Sequence, residues 1–333
     1  MNKNSLIVLV FILALCIVLG AWYLQAGRQS PEKSLQEITI DPGHTAASTL
    51  LLVARDQGYF AQNGLNVTFA ETPSVAVSMQ ELQNHTIDFG FINDYSLSDP
   101  RLYNKNILAI GTLAESDTNY VVGRRDRGIT RVQDLQGKKI GVTKGSIGEY
   151  FMDRFFVMNG LSINNVTVVN LPPADLVGAL VRGNIDASFS PEPYVYQMRQ
   201  QLGGNATVWP TNLGQHSQYS LVCTAATLQE RPGPAEALLK SVLQAETYVG
   251  SHQDVAERIA QNQTKFDEQY MDQDWQNHHF SVSLSQSLIT SMDAETRWRI
   301  EENLTPVSTV PDFSKSVYPD ILLKLRPTSV TLR

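Results

Sequence analysis

Cysteine and clustered positive charge are scarce in this sequence, and each shortage excludes a class of protein. Only two of the 333 residues are cysteines, and Cys16 lies in an apolar N-terminal run, which leaves Cys223 alone in the remaining chain. A single cysteine forms neither an intrachain disulfide nor a cysteine-based metal site, and its apolar neighbours predict a buried strand position. The 26 basic residues are outnumbered by 33 acidic ones and form no patch, so we expect no nucleic-acid partner.

Sequence signatures of the common enzyme classes are absent as well. The chain contains no His-Glu-x-x-His motif, no phosphate-binding Walker loop and no Gly-x-Ser-x-Gly elbow. His278 and His279 are adjacent on a segment predicted to be helical, without carboxylates at a spacing that specifies a metal. We therefore predict that the protein is not an enzyme and that it binds no metal and no cofactor.

A long apolar run is present at the N-terminus. Residues 5–24 carry no charged side chain, and a run of this length can span a bilayer. We predict that residues 1–24 form a signal or anchor segment, either uncleaved or a long signal peptide, and that 25–36 form a polar linker. The remaining chain is expected outside the cytoplasm, tethered to the cell membrane by this segment, or periplasmic or secreted if the segment is cleaved.

Beyond the linker, short apolar runs alternate with runs of helical periodicity. Strands are predicted at 37–40, 65–69, 87–91, 108–114, 139–142, 166–169 and 185–188. Helices are predicted at 46–57, 75–83, 146–159 and 174–181, and the chain after residue 221 is predicted to be largely helical, at 235–248, 254–260 and 286–303. This alternation implies an α/β fold with mostly parallel sheets covered on both faces.

The alternation restarts at Lys138, which indicates a second α/β unit. We predict that lobe 2, residues 125–215, is inserted into lobe 1, which consists of residues 37–124 and 216–333. Two lobes joined by two crossings predict a hinged cleft. In open α/β sheets, ligands bind beyond the carboxyl ends of the strands, so the loops at those ends are the places to look for a site.

One such loop combines a strand end with a helix start. Ser146 and Glu149 have the spacing of a capping box, and an apolar helical pattern follows them. Free backbone N–H groups at a helix N-terminus favour an anionic or polar ligand group. The alternative is that Ser146 only caps its helix.

A series of motifs follows in a fixed order along residues 38–225. They include Gly58-Tyr59-Phe60 with Gly64-Leu65, Asn84-His85-Thr86-Ile87-Asp88, Asp134-Leu135 with Gly137-Lys138-Lys139-Ile140-Gly141-Val142, Lys144-Gly145-Ser146, Gly183-Asn184-Ile185-Asp186-Ala187 and Glu192-Pro193-Tyr194. In this order and spacing they resemble the periplasmic substrate-binding proteins of ABC transporters for nitrate, taurine and aliphatic sulfonates. The superfamily also includes binding proteins for thiamine-pyrimidine precursors.

The resemblance implies a two-lobed periplasmic-binding-protein fold of type II. Such a protein closes on one small solute as a monomer and delivers it to a membrane permease and its ATPase. Sulfonate, taurine-like or nitrate-like ligands lead because of the resemblance. The ligand-binding residues that we predict are His44, Thr45, Ser48, Asn93, Asp94, Tyr95, Lys144, Gly145, Ser146, Ser190, Glu192 and Tyr194.

Several of these residues have a structural alternative. Thr45 and Ser48 can form a turn and cap a helix, and Asn93 and Asp94 can form an Asx turn. Glu192 lies between two prolines in a stiff loop, where it either faces the cleft or bonds neighbouring backbone N–H groups. A carboxylate facing the cleft suits an amine, guanidine or aminopyrimidine ligand and repels a simple oxyanion.

Two other functions remain open. The first is a ligand-sensing accessory protein with the same fold, which would use the same cleft to signal through a partner. The second is an enzyme similar to thiamine-pyrimidine synthases, which the missing cysteine cluster disfavours.

Overall fold

The computed structural model describes residues 35–103 and 106–332. The chain divides after Gln36, and Glu37–Arg333 forms one compact unit. The predicted signal or anchor segment, 1–24, lies outside the described residues, as does most of the predicted linker. Within the described residues, every helix is too short or too polar to cross a membrane.

The described strands form two sheets. The seven-stranded sheet has the order β12-β11-β4-β10-β3-β1-β2, and the five-stranded sheet has the order β7-β6-β8-β5-β9. The strands are β1 Gln36–Asp41, β2 Leu65–Phe69, β3 Phe89–Asn93, β4 Ile107–Ser116, β5 Asn119–Arg124, β6 Lys139–Val142, β7 Thr167–Asn170, β8 Ala187–Pro191, β9 Ala206–Pro210, β10 Ser217–Thr224, β11 His278–Ser285 and β12 Val330–Thr331.

Helices connect and cover these strands. The α-helices are α1 Thr49–Asp56, α2 Tyr59–Gln62, α3 Val75–Gln83, α4 Asp94–Leu97, α5 Pro100–Tyr103, α6 Ile147–Met158, α7 Pro173–Arg182, α8 Tyr194–Leu202, α9 Ala225–Glu230, α10 Pro232–Ser251, α11 Gln253–Thr264, α12 Glu268–Trp275, α13 Gln286–Glu301 and α14 Asp320–Leu325. Short 3-10 helices occur at Ala46–Ser48, Arg125–Arg127, Val132–Leu135, Ile163–Asn165, Gly203–Asn205, Phe313–Ser316 and Pro327–Ser329.

The α/β class and the presence of two sheets are confirmed, but the strand directions are more mixed than predicted. β1 runs parallel to β3, and β6 runs parallel to β7 and β8. In contrast, β10 is antiparallel to β3 and β4, and β5 is antiparallel to β8 and β9. The reason is that β5 and β10 enter their sheets directly from the other sheet, without the helical crossover that a parallel pair requires.

The chain passes between the sheets twice. The first crossing lies between Ser116 at the end of β4 and Asn119 at the start of β5, and the second lies between Pro210 and Ser217. Asp117 links the two crossings, because its Oδ1 lies 2.7 Å from Nδ1 of His216 and also accepts a hydrogen bond from Asn212. β5 thus belongs to the five-stranded sheet although it precedes residue 125, where we predict that lobe 2 begins. The division into lobes stays a prediction.

Successive residues of β5 point to opposite faces of the five-stranded sheet, as a pleated strand requires. Val121 packs into a cluster with Phe155 and Phe189, whereas Val122 packs into a separate cluster with Leu180 and Val195. The seven-stranded sheet has one larger core, which includes Cys223 on β10, fully buried as predicted.

The largest error in the predicted elements is β11, which falls in the segment predicted to be helical. His278 and His279 therefore lie on a strand, paired with Ser116 and Glu115 of β4. The signal is present in the sequence, because Phe280, Val282 and Leu284 alternate with serines at the period of a strand.

Candidate functional site

The loop after β1 uses most of its side chains for local structure. Thr45 caps the short helix Ala46–Ser48 by accepting a hydrogen bond from the Ala47 N–H, and the buried Ser48 hydroxyl donates to the Thr45 carbonyl at 2.6 Å. His44 is exposed, and its ring lies edge-on to Phe266 with 5.2 Å between ring centroids. Of the three predicted residues in this loop, His44 has the side chain that is free to meet a ligand.

The loop after β3 is also structural, but it contains an unusual buried acid. Asn93 caps α4 by accepting a hydrogen bond from the Ser96 N–H at 3.0 Å. Asp94 is fully buried, and its Oδ1 accepts a hydrogen bond from the Tyr95 N–H, while no described residue donates to its Oδ2. Burial raises the pKa of Asp94 to about 7. The Asp94 side chain is thus closed off from solvent.

The loop after β6 differs from the predicted capping box. Ser146 caps α6 through a hydrogen bond from the Gly148 N–H, but the Glu149 carboxylate accepts from the Gly145 N–H rather than from Ser146. The Lys144 N–H donates to Asn170 Oδ1 at 3.0 Å. Positive φ at Gly145 turns its N–H toward the Glu149 side chain. Side chains of the protein therefore satisfy most of the N–H groups that the sequence offers to an anion.

The two sheets' helices meet at a first contact edge, formed by Tyr95, Gly145, Tyr150, Asp153 and Trp298. The Tyr95 hydroxyl donates to the Gly145 carbonyl at 2.8 Å, which brings two of the predicted residues together. Trp298 on α13 donates from Nε1 to Asp153 Oδ2 at 2.7 Å and packs edge-on against Tyr150.

A second contact edge is formed by Tyr196 of α8, with Asp267 and Tyr270 of the seven-stranded sheet's helices. The Tyr196 hydroxyl donates to Asp267 Oδ1 at 3.1 Å, and its ring lies 5.3 Å from that of Tyr270. Phe266 packs edge-on against both Tyr270 and His44. An aromatic row therefore runs from the loop after β1 to the five-stranded sheet.

Glu192 lies beside this second contact edge. Its Oε2 accepts a hydrogen bond from the Tyr196 N–H at 2.8 Å, so the predicted structural role is present. Burial raises the pKa of Glu192 to about 7; the Tyr196 hydrogen bond opposes this shift and the charge of Asp274 adds to it. The Arg199 guanidinium is stacked over the Tyr120 ring, 5.0 Å from its centroid.

The two remaining predicted residues pack within the five-stranded sheet's body. Ser190 is 1% exposed, and its hydroxyl lies 2.9 Å from that of Ser188. Tyr194 begins α8 and packs against the apolar cluster around Val122. Neither side chain is joined to another predicted ligand-binding residue by a hydrogen bond within the described residues.

Sequence reasoning missed the residues of the seven-stranded sheet that approach Glu192. Asp274 is buried at the end of α12, and burial together with its charge raises the pKa of Tyr270. Burial raises the pKa of Tyr219 on β10 to about 12, and the charges of Asp94 and Asp274 act in the same direction. The one local signal was the Asp274–His278 spacing of four residues, which places an acid within reach of a histidine.

A family model described as NMT1/THI5 like matches residues 45–256, more than half of the chain. A Bacillus subtilis (strain 168) protein named for the binding of aliphatic sulfonates is 27% identical over 260 residues, 76% of each chain. A Brucella abortus (strain 2308) protein named only as a binding protein is 26% identical over 157 residues, 47% of this chain and 48% of the relative, so the chain spans about half the length of that relative.

An enzyme is also among the relatives. The 4-amino-5-hydroxymethyl-2-methylpyrimidine phosphate synthase of Aspergillus parasiticus is 29% identical over 143 residues, 43% of this chain and 41% of the relative. This shorter match covers less than half of either chain.

Solved structures match the fold over most of the chain. The periplasmic aliphatic sulphonate binding protein SsuA of Escherichia coli has a TM-score of 0.72 at 16% identity, over 86% of this chain and 97% of that chain. The periplasmic nitrate-binding protein NrtA of Synechocystis PCC 6803 has a TM-score of 0.64 at 13% identity, over 88% and 89%. These matches confirm the periplasmic-binding-protein fold, here built on two sheets, that the resemblance of the sequence motifs implies.

Proposed function

Because the chain belongs to the NMT1/THI5-like family, we propose that it is the extracytoplasmic solute-binding component of an ABC importer. It binds one small polar organic molecule between its two sheets and delivers it to the permease and ATPase. Residues 5–24 tether the protein to the cell membrane or direct its export. Two sheets joined by two crossings support this function, because closure about the crossings can enclose a solute.

The ligand class that we propose carries N–H donors on a planar ring, as an aminopyrimidine does. The observation that carries this choice is Glu192, whose carboxylate accepts a hydrogen bond from Tyr196 beside the aromatic row. Burial raises the pKa of Tyr120 on the five-stranded sheet, and the charge of Glu192 adds to this shift. A partly buried carboxylate is stabilised by N–H donors, and tyrosine rings offer flat apolar contact to a heteroaromatic ring.

The loop after β6 argues in the same direction. An oxyanion is favoured at a helix N-terminus whose N–H groups are free. Here the Glu149 carboxylate accepts from Gly145, and Ser146 Oγ accepts from Gly148, at the start of α6. An anionic ligand would meet a carboxylate at this position, so the loop supports a donor-rich ligand over a sulfonate.

A sulfonate or taurine-like ligand is the second candidate, favoured by the Bacillus subtilis relative. A thermal-shift screen separates the two: the purified protein is heated with taurine, alkanesulfonates, nitrate, thiamine and 4-amino-5-hydroxymethyl-2-methylpyrimidine. A ligand at a hundredfold excess over its Kd raises the free energy of unfolding by about 2.7 kcal/mol. A shift with the aminopyrimidine supports the proposed ligand class, whereas a shift with the sulfonates alone contradicts it. No shift with any compound would contradict both of these ligand classes.

Glu192→Gln should weaken aminopyrimidine binding at high pH and not at low pH. The pKa of Glu192 is about 7 without ligand, so at pH 8 the wild type presents a carboxylate and at pH 5 a neutral acid. Glutamine is neutral at both values. We expect the ratio of Kd between variant and wild type to fall from about ten at pH 8 to about one at pH 5, since a charge-assisted hydrogen bond is lost only at pH 8.

Titration calorimetry at several pH values measures this ratio of Kd values. Protonation of the ligand changes the Kd of the variant and of the wild type alike, so it does not change their ratio. The glutamine oxygen can still accept from the Tyr196 N–H, so the melting temperature without ligand should change little. A ratio that stays constant with pH would contradict a role for the Glu192 charge in binding.

A further inference from the structure

A cavity of about 780 Å³ lies beside the second crossing. This volume is in the range of sites that hold small molecules. Gln215 and His216 of the crossing line the cavity, together with Glu115 of β4, Arg154 of α6 and the first turns of α13. None of the ligand-binding residues predicted from the sequence lines it. The cavity is therefore distinct from the site proposed for the transported solute.

The protein's own contacts fix the wall that the crossing contributes. Gln215 Oε1 accepts a hydrogen bond from the Tyr150 hydroxyl at 2.8 Å, which ties the crossing to α6. His216 Nδ1 lies 2.7 Å from Asp117 Oδ1 in the first crossing. Both side chains are thus already engaged, and recognition of a ligand falls to the charged side chains on either side of them.

Arg154 is the cation of this cavity. Its Nε is buried and has no hydrogen-bond partner among residues 35–103 and 106–332. The guanidinium lies over the Tyr150 ring, 5.6 Å from the ring centroid, and this contact holds it in place. The charge of Arg154 also acts on Glu295. However, burial and the charge of Asp94 keep the pKa of Glu295 well above its usual value, which disfavours the ionised form that would neutralise Arg154.

Glu115 supplies the opposite charge. Its strand β4 pairs with both β10 and β11, so the backbone that carries Glu115 is fixed from two sides. The ion pairs among the described residues include neither Glu115 nor Arg154, so these two charges do not neutralise each other. Both side chains are partly buried, where salt screens a charge less than it does at an exposed position.

We propose that this cavity binds a small zwitterion, with the ligand's carboxylate on Arg154 and its ammonium group on Glu115. A guanidinium donates paired hydrogen bonds to a carboxylate, and an ammonium group donates to the carboxylate of Glu115. Because Arg154 and Glu115 do not pair with each other, the two charges of the ligand must be separated by a spacer, as in an ω-amino acid. A ligand with a single charge would leave one of the two side chains without a partner.

Such a ligand joins the two sheets' bodies. Arg154 belongs to the helix that packs on the five-stranded sheet, whereas Glu115 belongs to the seven-stranded sheet. A zwitterion held by both therefore favours the arrangement in which both of its ends are bound. Since the cavity lies beside the second crossing, the ligand biases closure about the crossings without occupying the solute site.

Titration calorimetry of the full chain tests this site with β-alanine, 4-aminobutyrate and 6-aminohexanoate, whose two charges lie progressively farther apart. We expect at least one of them to bind. Arg154→Gln and Glu115→Gln should each weaken its binding about tenfold or more, because each removes a charge-assisted contact. Arg127→Gln is the matched control, because Arg127 is exposed and does not line the cavity. Glu192→Gln should also bind the zwitterion like the wild type.

The ligand's two charges give a second measurement on the wild type, which decides the question if Arg154→Gln does not fold. The fatty acid of the same length lacks the ammonium group, and the alkylamine lacks the carboxylate. Each should bind about tenfold more weakly than the zwitterion, or weaker still.

Equal binding of either single-charge analogue would overturn the inference. So would variants of Arg154 and Glu115 that bind within twofold of the wild type, or a wild type that binds none of the three zwitterions. Weaker binding by Glu192→Gln would place the zwitterion in the solute site and overturn the separate cavity. The proposed function is measured with other compounds, so it stands or falls independently of these results.

Discussion

Replacing Glu295 by glutamine raises the free energy of unfolding by about 2–4 kcal/mol at pH 8 and by little at pH 5. Glu295 is fully buried, and no described residue donates to its Oε2. Burial and the charge of Asp94 raise the pKa of Glu295 well above its usual value, and burial raises that of Asp94 to about 7. Folding at high pH therefore costs free energy, because these acids must either hold a proton that the unfolded chain has released or carry a charge in the interior.

The direction of the pH effect follows from proton linkage. Both folded-state pKa values are raised, so between about pH 4 and 7 the folded protein holds protons that the unfolded chain has released. The stability that these groups contribute is fully present below the unfolded-state pKa and is lost as the pH rises through the folded-state value. Glu295→Gln removes one of the two acids and relieves the other, so its unfolding free energy should fall less between pH 5 and 8.

Urea unfolding at pH 5, 6, 7 and 8 measures this slope. Glu301→Gln is the matched control, because Glu301 lies on the same helix and is exposed, and its slope should equal that of the wild type. Identical slopes for Glu295→Gln and the wild type would mean that the buried acids do not set the pH dependence.

Trp298→Ala should lower the free energy of unfolding by roughly 3–5 kcal/mol and loosen the contact between the two sheets' bodies. The ring is 7% exposed and lies 5.5 Å from the ring of Tyr150 and 6.3 Å from that of Tyr95. The substitution removes this packing at the first contact edge and leaves the Asp153 carboxylate without its N–H donor. The lost contact joins α13 to α6, so we expect a larger radius of gyration in X-ray scattering.

Trp275→Ala separates the two effects of this substitution. Trp275 is equally buried, but it packs against Phe280 within the body of the seven-stranded sheet. Trp275→Ala should lower the melting temperature about as much as Trp298→Ala does, and it should leave the radius of gyration unchanged. An unchanged radius for Trp298→Ala as well would show that the first contact edge does not hold the two bodies together.

Much of the secondary structure followed from local sequence pattern. The predicted strands at 65–69 and 139–142 and the predicted helix at 75–83 coincide with β2, β6 and α3. These elements are specified by the spacing of apolar residues and by capping residues a few positions away, so no distant contact is needed to identify them. The segment of β11 is predicted to be helical because the segments around it are helical. Its own apolar residues alternate at the period of a strand, so the sequence did contain the signal.

The predicted loops remain candidate regions for ligand binding, and the roles of their side chains were not visible in the sequence. Capping spacing indicated a bond between Glu149 and Ser146, whereas the carboxylate accepts from Gly145. Asn93 and Asp94 were predicted for the same role, yet Asn93 caps a helix and Asp94 is fully buried. Which atom a polar group bonds depends on backbone conformation and burial, and these are set by the packed fold.

The sequence by itself determined much of the alternating α/β pattern and the motifs of the family, because each is encoded in residues close together in the chain. Only the tertiary structure decided that Asp274 approaches Glu192, and that Asp94 and Glu295 share one buried environment. The partners in each pair come from distant segments. Desolvation and charge repulsion act through space, so they exist only once the sheets and helices have brought those segments together.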